Sequence, residues 1–292
     1  MKKIITLLLA LLCLVACATN QTNSESDTNL TYKIVSPSGA PALSLLDLAD
    51  DENVNLDIVD GSDVLQAEFI NNEADIIIAP VNLGVKISNQ TLNYELKSII
   101  TWGNLHLVST NKDFKKGKVA AFGEIAVPGK VIGSLELNDY NFEWFNAVSE
   151  VSAALLAGQY EAAVLAEPYL TMTKTKSDKE IYEIVDIQNL YKEKTGLNSY
   201  PQAAVFVNAK KDIDYTEILN KIKTSIKTYS EDNENLSKRI DEVDMEKLGF
   251  ANPELIKKAY NKMALNYVEL KDCMDEVNAF LKLFGIEGIV VE

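Results

Sequence analysis

The sequence predicts an α/β protein of two similar lobes facing one another across a cleft, with further helices packed on the first lobe. Three observations predict it. Strand-like and helix-like segments alternate from Leu30 to Val207, the pattern of a parallel sheet. One stretch occurs twice, 88 residues apart and without a gap: Glu73-Ala74-Asp75-Ile76-Ile77-Ile78-Ala79-Pro80 and Glu161-Ala162-Ala163-Val164-Leu165-Ala166-Glu167-Pro168. Each copy reads as a tight turn, a short buried strand and a proline stop. Each also follows an apolar helical run and, further upstream, a strand ending in glycine (Lys33 to Gly39; Lys118 to Gly123). From Asp214 onward the periodicity is helical alone.

At the N-terminus, Met1-Lys2-Lys3 is basic, Ile4 to Leu12 is apolar but too short to span a bilayer, and Leu14-Val15-Ala16-Cys17 closes the segment. This is the layout of a cleaved signal over 1–16. A cysteine directly after Leu-Val-Ala resembles the bacterial lipobox, which implies a lipid on Cys17 and cleavage before it. Residues 17–29, rich in Thr, Asn, Ser and acidic side chains, read as a lipidated flexible tether. Lobe 1 is expected over 30–109 plus 205–292, and lobe 2 over 110–204.

Within lobe 1, Leu30 to Ser36 alternates and forms the first strand. Pro37-Ser38-Gly39-Ala40-Pro41 turns into a helix over Ala42 to Ala49, since proline in a first turn removes no helical hydrogen bond. Asn55 to Val59 is a second strand, and Asp60-Gly61-Ser62-Asp63 leads into a helix capped by Ser62 or Asp63. Pro80-Val81-Asn82-Leu83-Gly84 opens another helix before strands over Tyr94 to Thr101 and Leu105 to Ser109, separated by Trp102-Gly103-Asn104. The polar run Thr110 to Gly117 marks the boundary.

Lobe 2 opens with the strand Lys118 to Phe122 and a turn at Gly123-Glu124, then passes the aromatic cluster Tyr140, Phe142, Trp144 and Phe145 to the repeated stretch. Trp144 reads as packing inside this lobe. After a strand over Ile181 to Val185, Gln202 to Val207 carries the chain back, with hinges expected at Ser109 to Asn111 and Ala204 to Asn208. Ile218-Ile222-Ile226-Tyr229, Leu255-Ile256-Ala259-Met263 and Cys273-Val277-Phe280-Leu281 are the apolar faces of three late helices.

With Cys13 and Cys17 assigned to signal and lipid, Cys273 is left alone as a core residue, and the fold must hold by packing. The net charge of −15 argues against nucleic acid as a partner. Arg239 is the only arginine and lies in a polar run that reads as a solvated helix face, so a guanidinium clamp on a ligand is not expected. His106 is the only histidine and sits in an apolar strand, so no metal site is expected.

The lipobox, the glycine-containing first turn, the repeated strand ends and Ala166-Glu167-Pro168-Tyr169 resemble the substrate-binding subunits of ABC importers, in particular the nitrate/sulfonate/taurine and thiamine-precursor branch. The resemblance implies a type II periplasmic-binding-protein fold. It implies a small solute as ligand, an ABC permease and ATPase as partners, and no cofactor. A monomer anchored to the extracytoplasmic face of the membrane through Cys17 is expected.

The cleft should be lined by the carboxyl-end turns of both lobes. From lobe 1 these are Ser38, Gly39, Gly61, Ser62, Asn82 and Trp102; from lobe 2, Phe122, Gly123, Glu167, Tyr169 and Tyr200. Backbone N–H groups at helix starts suit polar atoms, and Trp and Tyr offer flat faces to a ring or a cation. Glu167 reads as an acceptor for ligand N–H donors or as a cap on the next helix, Trp102 as a platform or as core, and Ser62 as a contact or only a cap. If Glu167 binds the ligand, Glu167→Ala should lower affinity with little change in melting temperature.

The leading reading is a receptor that closes on a small planar heterocycle, with an oxyanion as second choice. The rival is an enzyme on the same fold, a lyase or a pyrimidine-synthesis type, which needs a positioned acid or base. Surface adhesion has no repeat or exposed apolar face to support it.

Overall fold

A computed structural model describes residues 31–290, so the signal, Cys17 and the tether to residue 29 lie outside the described residues. Two sheets organise the chain. The first contains β1 (Tyr32–Pro37), β2 (Val54–Val59), β3 (Ile76–Pro80), β4 (Tyr94–Trp102), β10 (Pro201–Asn208) and β11 (Leu265–Glu269), in the order β11-β4-β10-β3-β1-β2. The second contains β5 (Leu105–Ser109), β6 (Gly117–Phe122), β7 (Tyr140–Phe145), β8 (Ala162–Ala166) and β9 (Tyr182–Asp186), in the order β7-β6-β8-β5-β9.

The two sheets share one plan. A parallel trio, β2-β1-β3 or β7-β6-β8, is followed by one antiparallel strand, β10 or β5, and then by β4 or β9. The repeated stretch supplies the third member of each trio, so the 88-residue offset reflects equivalent positions in two sheets. Ile76 to Ala79 and Ala162 to Leu165 are wholly buried, which is why these strands are continuous apolar runs instead of alternating ones.

Helices cover the sheets: α1 (Ser62–Asn71), α2 (Val81–Thr91), α3 (Val127–Ser134), α4 (Val148–Leu156), α5 (Tyr169–Lys176) and α6 (Ile187–Thr195) connect strands, and α7 (Thr216–Glu231), α8 (Asn233–Glu242), α9 (Pro253–Ala259) and α10 (Met274–Lys282) follow β10. The late helices pack on the first lobe. Ile218, Ile222, Ile226 and Tyr229 of α7 join the core formed by Leu43, Leu45, Ile78 and Val205. Val277, Phe280 and Leu281 of α10 join Val85 and Phe206. Cys273 is buried, and burial pushes its thiol up to about 12.

Several local expectations are corrected. Ala40–Leu45 is a 3-10 turn, not an α-helix, with the Ser44 hydroxyl donating to the Pro41 carbonyl (2.7 Å). α1 starts after Gly61 at φ +96°, and neither Ser62 nor Asp63 caps it with a side chain. The late segment is not helical alone: β11 extends the first sheet beside β4. Arg239 is not on a solvated face. Its side chain is only 15 % exposed, bonded to Asp47, Asp50 and the Leu46 carbonyl, and it holds the Asp50 carboxyl below its ordinary value.

The chain passes between sheets at two points that lie together. β4 ends at Trp102 and β5 starts at Leu105 in the other sheet, while β10 re-enters the first sheet at Pro201 opposite Trp102. Sheet membership therefore places β5 with lobe 2 and all of β10 with lobe 1, and moves the crossings from 109/110 and 204/205 to Gly103-Asn104 and Ser199-Tyr200. The expected hinge residues Ser109, Ala204 and Asn208 are instead buried inside strands.

At the crossings, the Gly103 N–H donates to the Ser199 hydroxyl (3.1 Å), and the Tyr200 hydroxyl donates to Gln188 Oε1 (2.8 Å). Gln188 Nε2 donates to the Leu105 carbonyl (2.6 Å), and Gln202 Nε2 reaches both the Trp102 carbonyl and Asn104 Oδ1 (2.8 Å each). A Cβ at Gly103 would stand 2.7 Å from the Tyr200 ring and 2.9 Å from Gln188 Oε1. Gly103→Ala is therefore expected to lower stability by about 1–3 kcal/mol in urea unfolding, the usual penalty of overpacking.

Candidate functional site

A cavity of about 630 Å³ lies between the two sheets. Ser38 and Gly39 reach it from the end of β1, Phe122 from the end of β6, and Glu167 and Tyr169 from the turn between β8 and α5. All five sit at carboxyl ends of parallel strands, where this class of sheet leaves a crevice. Smaller cavities of about 150 Å³ and 380 Å³ are each walled by one lobe alone.

The polar groups of the wall are few and mostly engaged. Ser38 Oγ donates to Asp60, and Gly39 at φ +93° turns the chain so that its carbonyl accepts from the Ala42 N–H (3.1 Å). Glu167 is only 5 % exposed. Its two oxygens accept from the Thr171 N–H (3.0 Å) and the Thr171 hydroxyl (2.9 Å), which fixes the first turn of α5. The capping role weighed for Glu167 is present, in a residue that also belongs to the cavity wall.

The remaining expected residues are not brought to this wall. Trp102 is core: its indole N–H donates to the Asn266 carbonyl (2.9 Å) at the β11 seam. Tyr200 is wholly buried in the crossing, edge-on to Tyr191 at 5.1 Å, and burial raises its phenol far above the ordinary value. Gly123 closes a turn in which its carbonyl accepts from Ala126 (3.0 Å) and Gly129 (3.1 Å). Gly61 and Ser62 are exposed at the start of α1. Asn82 is half-buried in the first turn of α2, its Oδ1 unpartnered among the described residues. Trp144 stacks on Phe142 at 5.8 Å along β7, as packing within the second lobe requires.

A third wall comes from a segment that sequence reasoning missed. Gly249, Phe250, Ala251 and Asn252 join a 3-10 turn (Met245–Leu248) to α9, and Leu255 and Ile256 follow from α9 itself. Asn252 Oδ1 accepts from the Leu255 N–H (3.1 Å) and caps α9. Gly249 at φ +83° and the Asn252-Pro253 pair make this segment a turn, but nothing local in the sequence signals that it meets α5 across the cavity.

His106 lies on β5 outside the cavity, its Nδ1 2.7 Å from Glu183. Among the described residues no group of three His, Cys, Asp or Glu could hold a metal ion, and no helix is long and apolar enough to cross a membrane.

No protein-family model and no curated protein matches the chain. Solved structures do. A crystal structure of an ABC transporter from Parabacteroides distasonis is 23% identical with a TM-score of 0.75, over 87% of this chain and 91% of that one. The periplasmic aliphatic sulphonate binding protein SsuA from Escherichia coli is 11% identical with a TM-score of 0.61, over 89% and 90%. A putative nitrate transport protein from Thermoplasma volcanium is 15% identical with a TM-score of 0.52, over 90% and 98%. At these identities the likeness is one of fold: the chain has the type II periplasmic-binding-protein architecture, two α/β lobes around a cleft.

The contacts to Thr171 revise the expectation for Glu167→Ala. This change is expected to lower stability by about 1–2 kcal/mol in thermal unfolding, through loss of the cap, in addition to any effect on binding. Glu167→Gln, which keeps an acceptor oxygen, should lose less.

Proposed function

We propose that the chain is the solute receptor of an ABC importer. It holds a small molecule in the cavity between its lobes and presents it to a permease and its ATPase. The observation that carries this reading is a cavity walled by turns from both sheets, in a chain whose two crossings are hydrogen-bonded to each other and so could act as one hinge. Closure about Gly103-Asn104 and Ser199-Tyr200 would bring the two walls together. The solved structures sharing the fold, described as transport and binding proteins, support it. Capture is favoured over turnover because the sole histidine is paired with Glu183 away from the cavity.

For the solute, the lining favours a small planar heterocycle of the thiamine-precursor kind over an oxyanion. Phe122, Tyr169 and Phe250 offer apolar surface, and no arginine or lysine is present in the wall to hold a sulfonate or nitrate. Lipidation at Cys17 would keep the receptor, as a monomer, beside its permease on the extracytoplasmic face.

Native mass spectrometry of the purified protein is expected to detect a co-purified small molecule. Its rebinding should weaken roughly tenfold or more in Tyr169→Ala and in Phe250→Ala, each of which removes a ring from the cavity wall. Chemical conversion of that molecule by the protein would overturn the receptor reading. Cys17→Ser is expected to abolish labelling by radioactive palmitate and to release the protein from the membrane fraction; retention of both would overturn the anchor.

A further inference from the structure

We propose that the solute is an organic cation whose protonated nitrogen rests against Glu167, with its apolar or planar body among Phe122, Tyr169 and Phe250. This inference rests on the receptor reading above and names the class of solute. Glu167 is nearly enclosed and belongs to the cavity wall. Each of its oxygens receives one hydrogen, both from Thr171, whereas a carboxylate offers about four acceptor positions.

No lysine, arginine or histidine stands in the wall to balance it. The Thr171 contacts and the start of α5 compensate part of this negative charge, and no cationic side chain of the wall takes up the rest, which leaves acceptor capacity for a cation. The other groups suit the same visitor. Three aromatic side chains line the same cavity, a residue type that attracts ammonium, amidinium and pyridinium-like groups, and Met172 adds a polarisable group. An anion would meet Glu167 as a like charge. The one guanidinium of the chain is committed to Asp47 and Asp50 and is absent from the wall. The net charge of −15 favours approach of cations over anions from a distance.

The test uses three near-isosteric probes on the purified protein, stripped of any co-purified molecule: benzamidine as the cation, benzamide as its neutral counterpart, and benzenesulfonate as the anion. By calorimetry, benzamidine is expected to bind at least about tenfold more tightly than benzamide, with benzenesulfonate weakest. Glu167→Gln should bring the benzamidine-to-benzamide ratio to about one while keeping the native circular dichroism spectrum, since the amide oxygen still accepts from Thr171.

Equal or tighter binding of benzamide or benzenesulfonate, a preference that survives Glu167→Gln, or no binding of any probe overturns the inference. A co-purified anion identified by native mass spectrometry would overturn it too while leaving the receptor reading intact. A co-purified amine or amidine supports both.

Discussion

The structure depends on the hydrogen-bonded junction where the chain crosses twice between its sheets. Tyr200, Gln188, Ser199 and Gln202 reach the backbone or side chains of residues 102–105, so the outgoing and returning strands are fastened at one level. Gly103 is required there because the Tyr200 ring occupies the space a side chain would take. Polar groups that leave water must find partners, and here they find them in each other. In the proposed closure, a junction of this kind would confine relative motion of the lobes to a few backbone dihedrals.

Given that junction, the cavity follows from chain direction. Parallel strands deliver their carboxyl-end turns to one side of each sheet, and the two sheets turn those sides toward each other. The late α7–α10 region does more than cover the first sheet. Its turn from Gly249 to Asn252 adds a wall, and α9 packs against α5 from the opposite lobe. The aromatic character of the cavity therefore has three origins: Phe122, Tyr169 and Phe250, contributed by three parts of the chain that are far apart in sequence.

Much of the fold was legible in sequence because its signals are local or repetitive. The offset between Glu73 and Glu161 marked equivalent strands, and continuous apolar runs marked sheets covered on both faces. Ser38, Gly39, Phe122, Glu167 and Tyr169 were accessible to reasoning because a strand's carboxyl end can be located from its own residues. Trp102 and Tyr200 lie outside the cavity wall, and the sequence does not separate them from residues within it. An aromatic residue beside a glycine or proline looks the same whether it faces a ligand or fills a crossing, and only long-range packing decides. Phe250 and β11 were missed for the complementary reason. Their environments are created by partners about 80 or more residues away, and a short apolar turn or strand carries no trace of them.

The pairing of Trp102 with Pro201 has a consequence for how such a chain is assembled. β4 and β10 are antiparallel neighbours, so in topological terms they form a hairpin, and the entire second lobe is the loop between them. Closing a long loop is only modestly harder than closing a shorter one, but it must wait until the intervening chain exists. During synthesis the second lobe has its complete set of strands in one uninterrupted stretch and is free to fold first. The first lobe stays open along one edge of β3 until β10 emerges to occupy it, and the nascent chain must keep that edge from other partners meanwhile.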